Sequence, residues 1–148
     1  GLYAEAFIYA AATEEGIKFL LLHRYVFNLQ SDQTAIDFIM TALVASLVFA
    51  GIENLVYVTV YFSPLGLEVA ALRMYTAIPM HALCGISMGW FMSRSPVVGG
   101  ASNLAFVVPW LLHGLYDLFA LGGDGGLAFV VLLVGILVHM RAIRTYLS

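Results

Sequence analysis

Charge is what this sequence has least of. Only 10% of its 148 residues are Asp, Glu, Lys or Arg, where a soluble domain carries about 25%. With 62% hydrophobic residues and a mean hydropathy of +0.96, a soluble domain of this length has too little interior to hide the apolar surface. The chain therefore reads as an integral membrane protein, with the lipid bilayer as its solvent. One cysteine, Cys84, excludes an internal disulfide and a cysteine-cluster metal site. A net charge of −3 without a basic run excludes nucleic acid as a partner. The chain begins at Gly1 and is apolar at once, with no basic n-region. Its opening segment thus reads as a span and not as a signal peptide, and further helices are expected upstream of it.

Apolar runs of about 20 residues each make a spanning helix. Five are expected, at about 2–27, 35–62, 68–92, 103–121 and 126–146, within one transmembrane helical domain. "NLQSDQ", "SPLG", "SRSPVVGGASN" and "GGDGG" separate them, and all are rich in turn formers. The fold class expected is an all-α bundle of about five transmembrane helices. Arg24, Arg94, Arg141 and Arg144 fall at ends sharing one side and Arg73 near the other. That bias puts the C-terminus in the cytoplasm, in what reads as a bacterial cell membrane. Trp90, Trp110, Tyr57, Tyr61 and Tyr146 read as interfacial belt residues, and His23 and His139 as interfacial too.

The few charges present are in the wrong place for a purely structural bundle. Glu14, Glu15, Lys18, Glu53 and Asp117 lie well inside expected spans; one such group at a helix centre costs roughly 2.5–3.5 kcal/mol. At 1.5 Å per residue Glu14, Glu53, His81 and His113 all fall roughly 12–20 Å below one membrane face. Four helices thus bring polar groups to one layer. Glu14 and Lys18 are i,i+4 and can pair, and His113 and Asp117 share a face in the same way. Glu15 points away from Glu14, suited to aligning a neighbouring helix. His81, Gly85 and Gly89 form a stripe along which another helix can approach closely, and Pro79 is placed to kink the helix entry.

Carboxylates, histidines and a lysine, with no serine beside a base and no HExxH, suit water activation. A glutamate with a raised pKa can take a proton from water, while Glu14, Glu53, His81, His113 and Asp117 equally suit a divalent metal, zinc being the natural candidate. Bland readings stand beside these: Glu14 with Lys18 as a structural ion pair, Asn54 as interhelical glue, and His81, His113 and Asp117 as packing pairs. Cys84 sits one turn from His81, but an apolar helix offers no thiolate activation.

In order along the chain, "EEGIK", "FAGIEN", "HALCG" and "HGLYD" resemble the PrsW family of intramembrane proteases. That family shares a superfamily with the CAAX prenyl proteases and bacteriocin-processing membrane proteins. The resemblance covers residues 14 to 117 and implies an intramembrane endopeptidase. Glu14 would activate water, Glu15 and Lys18 would support and orient it, His113 and Asp117 would line the oxyanion side or serve as ligands, and His81 would complete the site. Glu53, followed by Asn54 in the same motif, stands where the CAAX branch carries a histidine, which leaves metal-free glutamate catalysis and metal catalysis both open. The implied substrates are membrane-anchored proteins or peptides, an anti-sigma factor among them. Two other readings are a non-catalytic scaffold, as in a superfamily member within gamma-secretase, and a proton or ion transporter.

Overall fold

In the computed structural model, residues 1–26, 33–61, 66–94 and 103–147 are described, and every regular element among them is helical. Helix α1 covers 2–26 and changes winding along its length. A single α-turn at Leu2–Ala4 passes into a π-helical stretch, Glu5–Ala12, then α-helix at Thr13–Leu21 and a second π-helical stretch at Leu22–Val26. Helix α2 covers 35–61, α-helical over Ala35–Val56. The third apolar run is broken in two at Thr76, giving α3 (Gly66–Tyr75) and α4 (Ala77–Ser93). Helices α5 (Leu104–Leu121) and α6 (Gly125–Leu147) complete the chain. The inter-helix breaks expected over 27–32, 62–65 and 95–102 lie outside the described residues.

Four helical stretches are long and apolar enough to cross a membrane: Ala35–Val60, Gly66–Ser93, Leu104–Leu121 and Gly125–Thr145. Helix α1 has the length, but it carries Glu5, Glu14, Glu15, Lys18 and Arg24. The outward faces are greasy: Val48, Ile52 and Leu55 on α2 and Leu137 and Val138 on α6 are largely exposed, as suits side chains whose solvent is lipid.

Local sequence explains the helix ends. Thr34 and Asp37 form a reciprocal capping box at the start of α2, two orphan donors satisfied by two side chains. "GGDGG" is a turn, as expected. Gly123 adopts a φ of +84°, a region that costs glycine nothing, and Asp124 Oδ1 accepts from Leu127 N at 3.0 Å to cap α6. Upstream of Pro79 the helix breaks at Thr76, three residues before the proline where the kink was expected.

The centre of the bundle is the α2–α4 contact, the most extensive in the molecule. It depends on the glycine stripe. A Cβ on Gly85 would lie 2.7 Å from the Ala42 carbonyl oxygen, and one on Gly89 would lie 2.6 Å from Ile39 Cα. Helix α5 packs against α4 and along the π-helical part of α1, where the run "AEAFIYAAA" leaves Ala6 and Ala11 fully covered. Trp110 ties that contact by donating its indole N–H to the Phe7 carbonyl at 2.7 Å. The belt reading is corrected for two residues: Trp110 is an inter-helix tie, and Trp90 is buried at 5% exposure with the Arg94 guanidinium over its ring. Tyr57 stacks under the Arg73 guanidinium at 3.9 Å, while the side chains of Tyr61 and Tyr146 lie outside the described residues.

Gly89→Ala is expected to destabilise the protein by about 1–3 kcal/mol, because the added methyl forces two backbones apart. Gly51→Ala, whose Cβ meets nothing within 4 Å, should be neutral or slightly stabilising. Unfolding of both variants in detergent, followed by circular dichroism, checks the contrast.

Candidate active site

Five helices bring their polar groups to one place. Helix α1 supplies Glu14, Glu15 and Lys18, α2 supplies Glu53 and Asn54, α3 supplies Arg73, α4 supplies His81, and α5 supplies His113 and Asp117. The hub is Glu15, which is completely buried. Its Oε1 accepts from the Lys18 ammonium and lies 2.8 Å from His113 Nδ1. Lys18 Nζ also reaches His81 Nδ1 at 3.2 Å. The other nitrogen of that ring, Nε2, lies 2.8 Å from Glu53 Oε2. A continuous polar chain therefore runs Glu53–His81–Lys18–Glu15–His113, ending on Asp117, whose Oδ2 is 3.4 Å from His113 Nε2. The two imidazoles meet edge to face, centroids 4.8 Å apart.

One expectation needs correction. Lys18 pairs with Glu15 at i,i+3 and not with Glu14 at i,i+4; both spacings put residues on one helix face, and the two imidazoles beside Glu15 decide between them. Glu15 meets a neighbouring helix through His113 of α5 and is the most deeply buried charge of the set. Arg73, used above only for orientation, is the residue that sequence reasoning missed. Its Nη2 lies 2.8 Å from Glu53 Oε2 and its Nε donates to Asn54 Oδ1 at 3.1 Å. The available signal was an arginine in an apolar run with no partner, while Glu53 also had none. Asn54 bridges α2 to α3 through this arginine.

Glu14 differs from its neighbours. Its Oε2 is buried with no hydrogen-bond partner among the described residues, and its nearest basic neighbour is His113 Nε2 at 3.9 Å. Glu14 and Glu53 both line a cleft of about 930 Å³ between α1 and α2, walled by Tyr9, Phe49, Ile52 and Val56. The cleft exists because α1 and α2 touch over only a short stretch. An unsatisfied carboxylate oxygen buried just behind the wall of a space large enough for a polypeptide segment is a group available for chemistry.

The donor set fits a metal ion. Glu14, His81 and His113 offer one ligand atom each within 4.8 Å of one another. One nitrogen of each imidazole is held by a carboxylate, Glu53 for His81 and Glu15 for His113, as outer carboxylates orient metal-binding histidines. The other nitrogen of His81 faces the Lys18 ammonium at 3.2 Å, so an ion bound there takes the place of that contact. Three protein ligands leave a fourth position for water in a tetrahedral site. Of the five ligands expected, Glu53 holds His81 Nε2, and Asp117 lies 3.4 Å from His113 Nε2, the nitrogen that also faces Glu14. A second group, Glu15, Cys84 and His113, also lies within 4.8 Å, but the Cys84 thiol lies 3.6 Å from the Pro109 carbonyl, to which it donates.

Removing one partner from a buried ion pair leaves an uncompensated charge. Lys18→Met should therefore destabilise the protein by about 3–5 kcal/mol, and adding Glu15→Gln should recover a large part of that loss. Equilibrium unfolding of the single and double variants measures both.

Residues 2–143 match the family described as "PrsW family intramembrane metalloprotease". Among curated proteins, Protease PrsW of Oceanobacillus iheyensis is 32% identical over 98% of this chain and 66% of its own length. Protease PrsW of Clostridioides difficile is 30% identical over 90% of this chain and 58% of its own length. That of Shouchella clausii is 33% identical over 77% and 53%. The chain thus spans between half and two thirds of the length of these relatives. No solved structure matches. With the family match extending over nearly every described residue, and all five site helices inside it, the chain belongs to the PrsW family of intramembrane metalloproteases.

Proposed function

We propose that this protein is an intramembrane endopeptidase that hydrolyses a peptide bond of a membrane-anchored protein, with zinc as the ion at Glu14, His81 and His113. The observation that carries this reading is the meeting of those three side chains, within 4.8 Å, at the inner wall of a cleft that Glu14 itself lines. A divalent ion bound there supplies Lewis acidity and lowers the pKa of its water.

The chain's own residues supply the rest. The free oxygen of Glu14 is placed to take a proton from water and return it to the leaving amine. The Lys18 ammonium, held between Glu15 and His81, adds fixed positive charge beside the ion, in a layer of low dielectric where such charge stabilises a developing oxyanion strongly. Glu15, Glu53 and Asp117 hold Lys18 and the two histidines in orientation, and Arg73 with Asn54 holds Glu53. Substrate of the anti-sigma-factor type is the finer form of this reading. So is the orientation from the arginine bias, with the C-terminus in the cytoplasm of a bacterial cell and the site nearer the outer face.

Chelator-washed protein given back zinc is expected to hold close to one ion per chain by inductively coupled plasma mass spectrometry. His81→Ala and His113→Ala should both lose it, while Cys84→Ser should retain it; loss in Cys84→Ser would move the ion to the second ligand group. Glu14→Gln should lower turnover of a membrane-anchored substrate by about 10²–10⁴-fold, the range for removing an acid–base group. Cleavage in liposomes, read by gel, provides that measurement, and full activity in Glu14→Gln would overturn the assignment.

A further inference from the structure

The winding of α1 has a consequence for what the cleft can accept. At 3.6 residues per turn, positions 5 and 14 of an α-helix lie two and a half turns apart and face opposite ways. The i→i+5 winding of Glu5–Ala12 spends close to two turns on that distance. It brings Glu5, Tyr9 and Glu14 onto one face, and all three line the cleft. Glu5 is exposed, and among the described residues its carboxylate has no hydrogen-bond or ion-pair partner. Glu53, the third carboxylate of the lining, is already held by Arg73. Between these charges the walls are apolar: Tyr9 and Ala10 on α1, and Phe49, Ile52 and Val56 on α2. Ile52 is 61% exposed, so the cleft is open along the side of the bundle that faces lipid.

We propose that this cleft is the entrance through which a membrane-anchored polypeptide reaches Glu14. At its rim, Glu5 selects a segment bearing a lysine or arginine a few residues from the bond presented to Glu14. The register follows from length. Nine helical positions separate the two carboxylates by about 10–14 Å, and an extended chain rises about 3.3 Å per residue. The basic residue therefore lies about three or four residues from that bond, on the side toward the start of α1. Apolar walls suit the part of the segment coming out of lipid, and an unpaired carboxylate at the rim suits a cationic side chain of that segment. The proposal rests on the hydrolytic reading for the nature of its occupant, but its test does not require turnover.

The full-length protein in phosphatidylcholine nanodiscs is offered two fluorescent single-span peptides of about 22 leucines and alanines. They are identical except for one Lys or one Glu at the end. Disulfide capture from Ile52→Cys inside the cleft is compared with capture from Leu47→Cys on the outer face of α2, using a cysteine near the charged end of each peptide. Capture is expected at position 52 and not at 47, with the Lys peptide favoured about three- to fivefold, as for a partly exposed ion pair. Glu5→Lys should reverse the order. Equal capture of both peptides, or a preference that Glu5→Lys leaves unchanged, overturns the role of Glu5. Absence of capture at position 52 overturns the cleft as entrance, whether lipid or another segment of the protein fills it. A zinc-loaded protein that captures the Lys peptide with this preference but cuts neither it nor any other membrane protein would instead defeat the hydrolytic reading and leave the entrance standing.

Discussion

The polar groups of the site are arranged around one ammonium group buried within the helix bundle. Lys18 is 2% exposed and bonded at once to Glu15 and His81, so it joins α1 to α4 and, through Glu15, to α5. A charge in that position is affordable only if it is paired and hydrogen-bonded. The pairing in turn fixes where α1 can sit, because Glu15 must also meet His113. The close approach of α2 and α4 along Gly85 and Gly89 carries Glu53 to the far side of His81. Apolar packing between lipid-exposed helices adds little preference for one register over another, since lipid is as apolar as the partner helix. The polar chain, which is satisfied in one register only, supplies that preference.

This division of labour explains what was legible in the sequence. The all-α membrane class followed from the scarcity of charge, and the layer of polar groups followed from counting residues along each run. Both depend on one-dimensional quantities that a membrane constrains strongly. Angular relations were less legible. Lys18 takes Glu15 and not Glu14, a choice made by histidines on two other helices. The alignment of Glu5 with Glu14 depends on a π-helical stretch that no residue pattern in "EAFIYAAA" announces. Trp90 and Trp110 look like interfacial aromatics by position, yet both turn inward, because Trp110 finds a carbonyl on α1 and Trp90 is covered by the bundle.

Arg73 marks a different kind of limit. Counting lysines and arginines treats each as a reporter of membrane side, and that use hides an arginine bound within the protein. Its guanidinium makes three contacts with α2: Glu53, Asn54 and the face of Tyr57. A planar fork can serve a carboxylate, an amide oxygen and a ring at the same time, which a lysine cannot. Because α3 breaks from α4 at Thr76, this clamp is carried on a short helix of its own.

The carboxylates can now be told apart by what each is already doing. Glu15, Glu53 and Asp117 all face imidazole nitrogens, and Glu53 carries the arginine as well. One oxygen of each is committed to holding His81 or His113 in place, while the second oxygen of Glu15 is buried without a partner among the described residues. Of these four acids Glu14 is the one that lines the cleft and keeps, behind the cleft wall, an oxygen with no partner among the described residues. In a low-dielectric layer an unsatisfied carboxylate oxygen is costly, and a fold built only for stability would use the neighbouring donors to satisfy it. Here those donors are turned to the other acids and the cost is left at the cleft wall, where a water or metal ion relieves it. Four buried acids that would look equivalent by composition are thus separated by geometry into three that position and one that remains available to react.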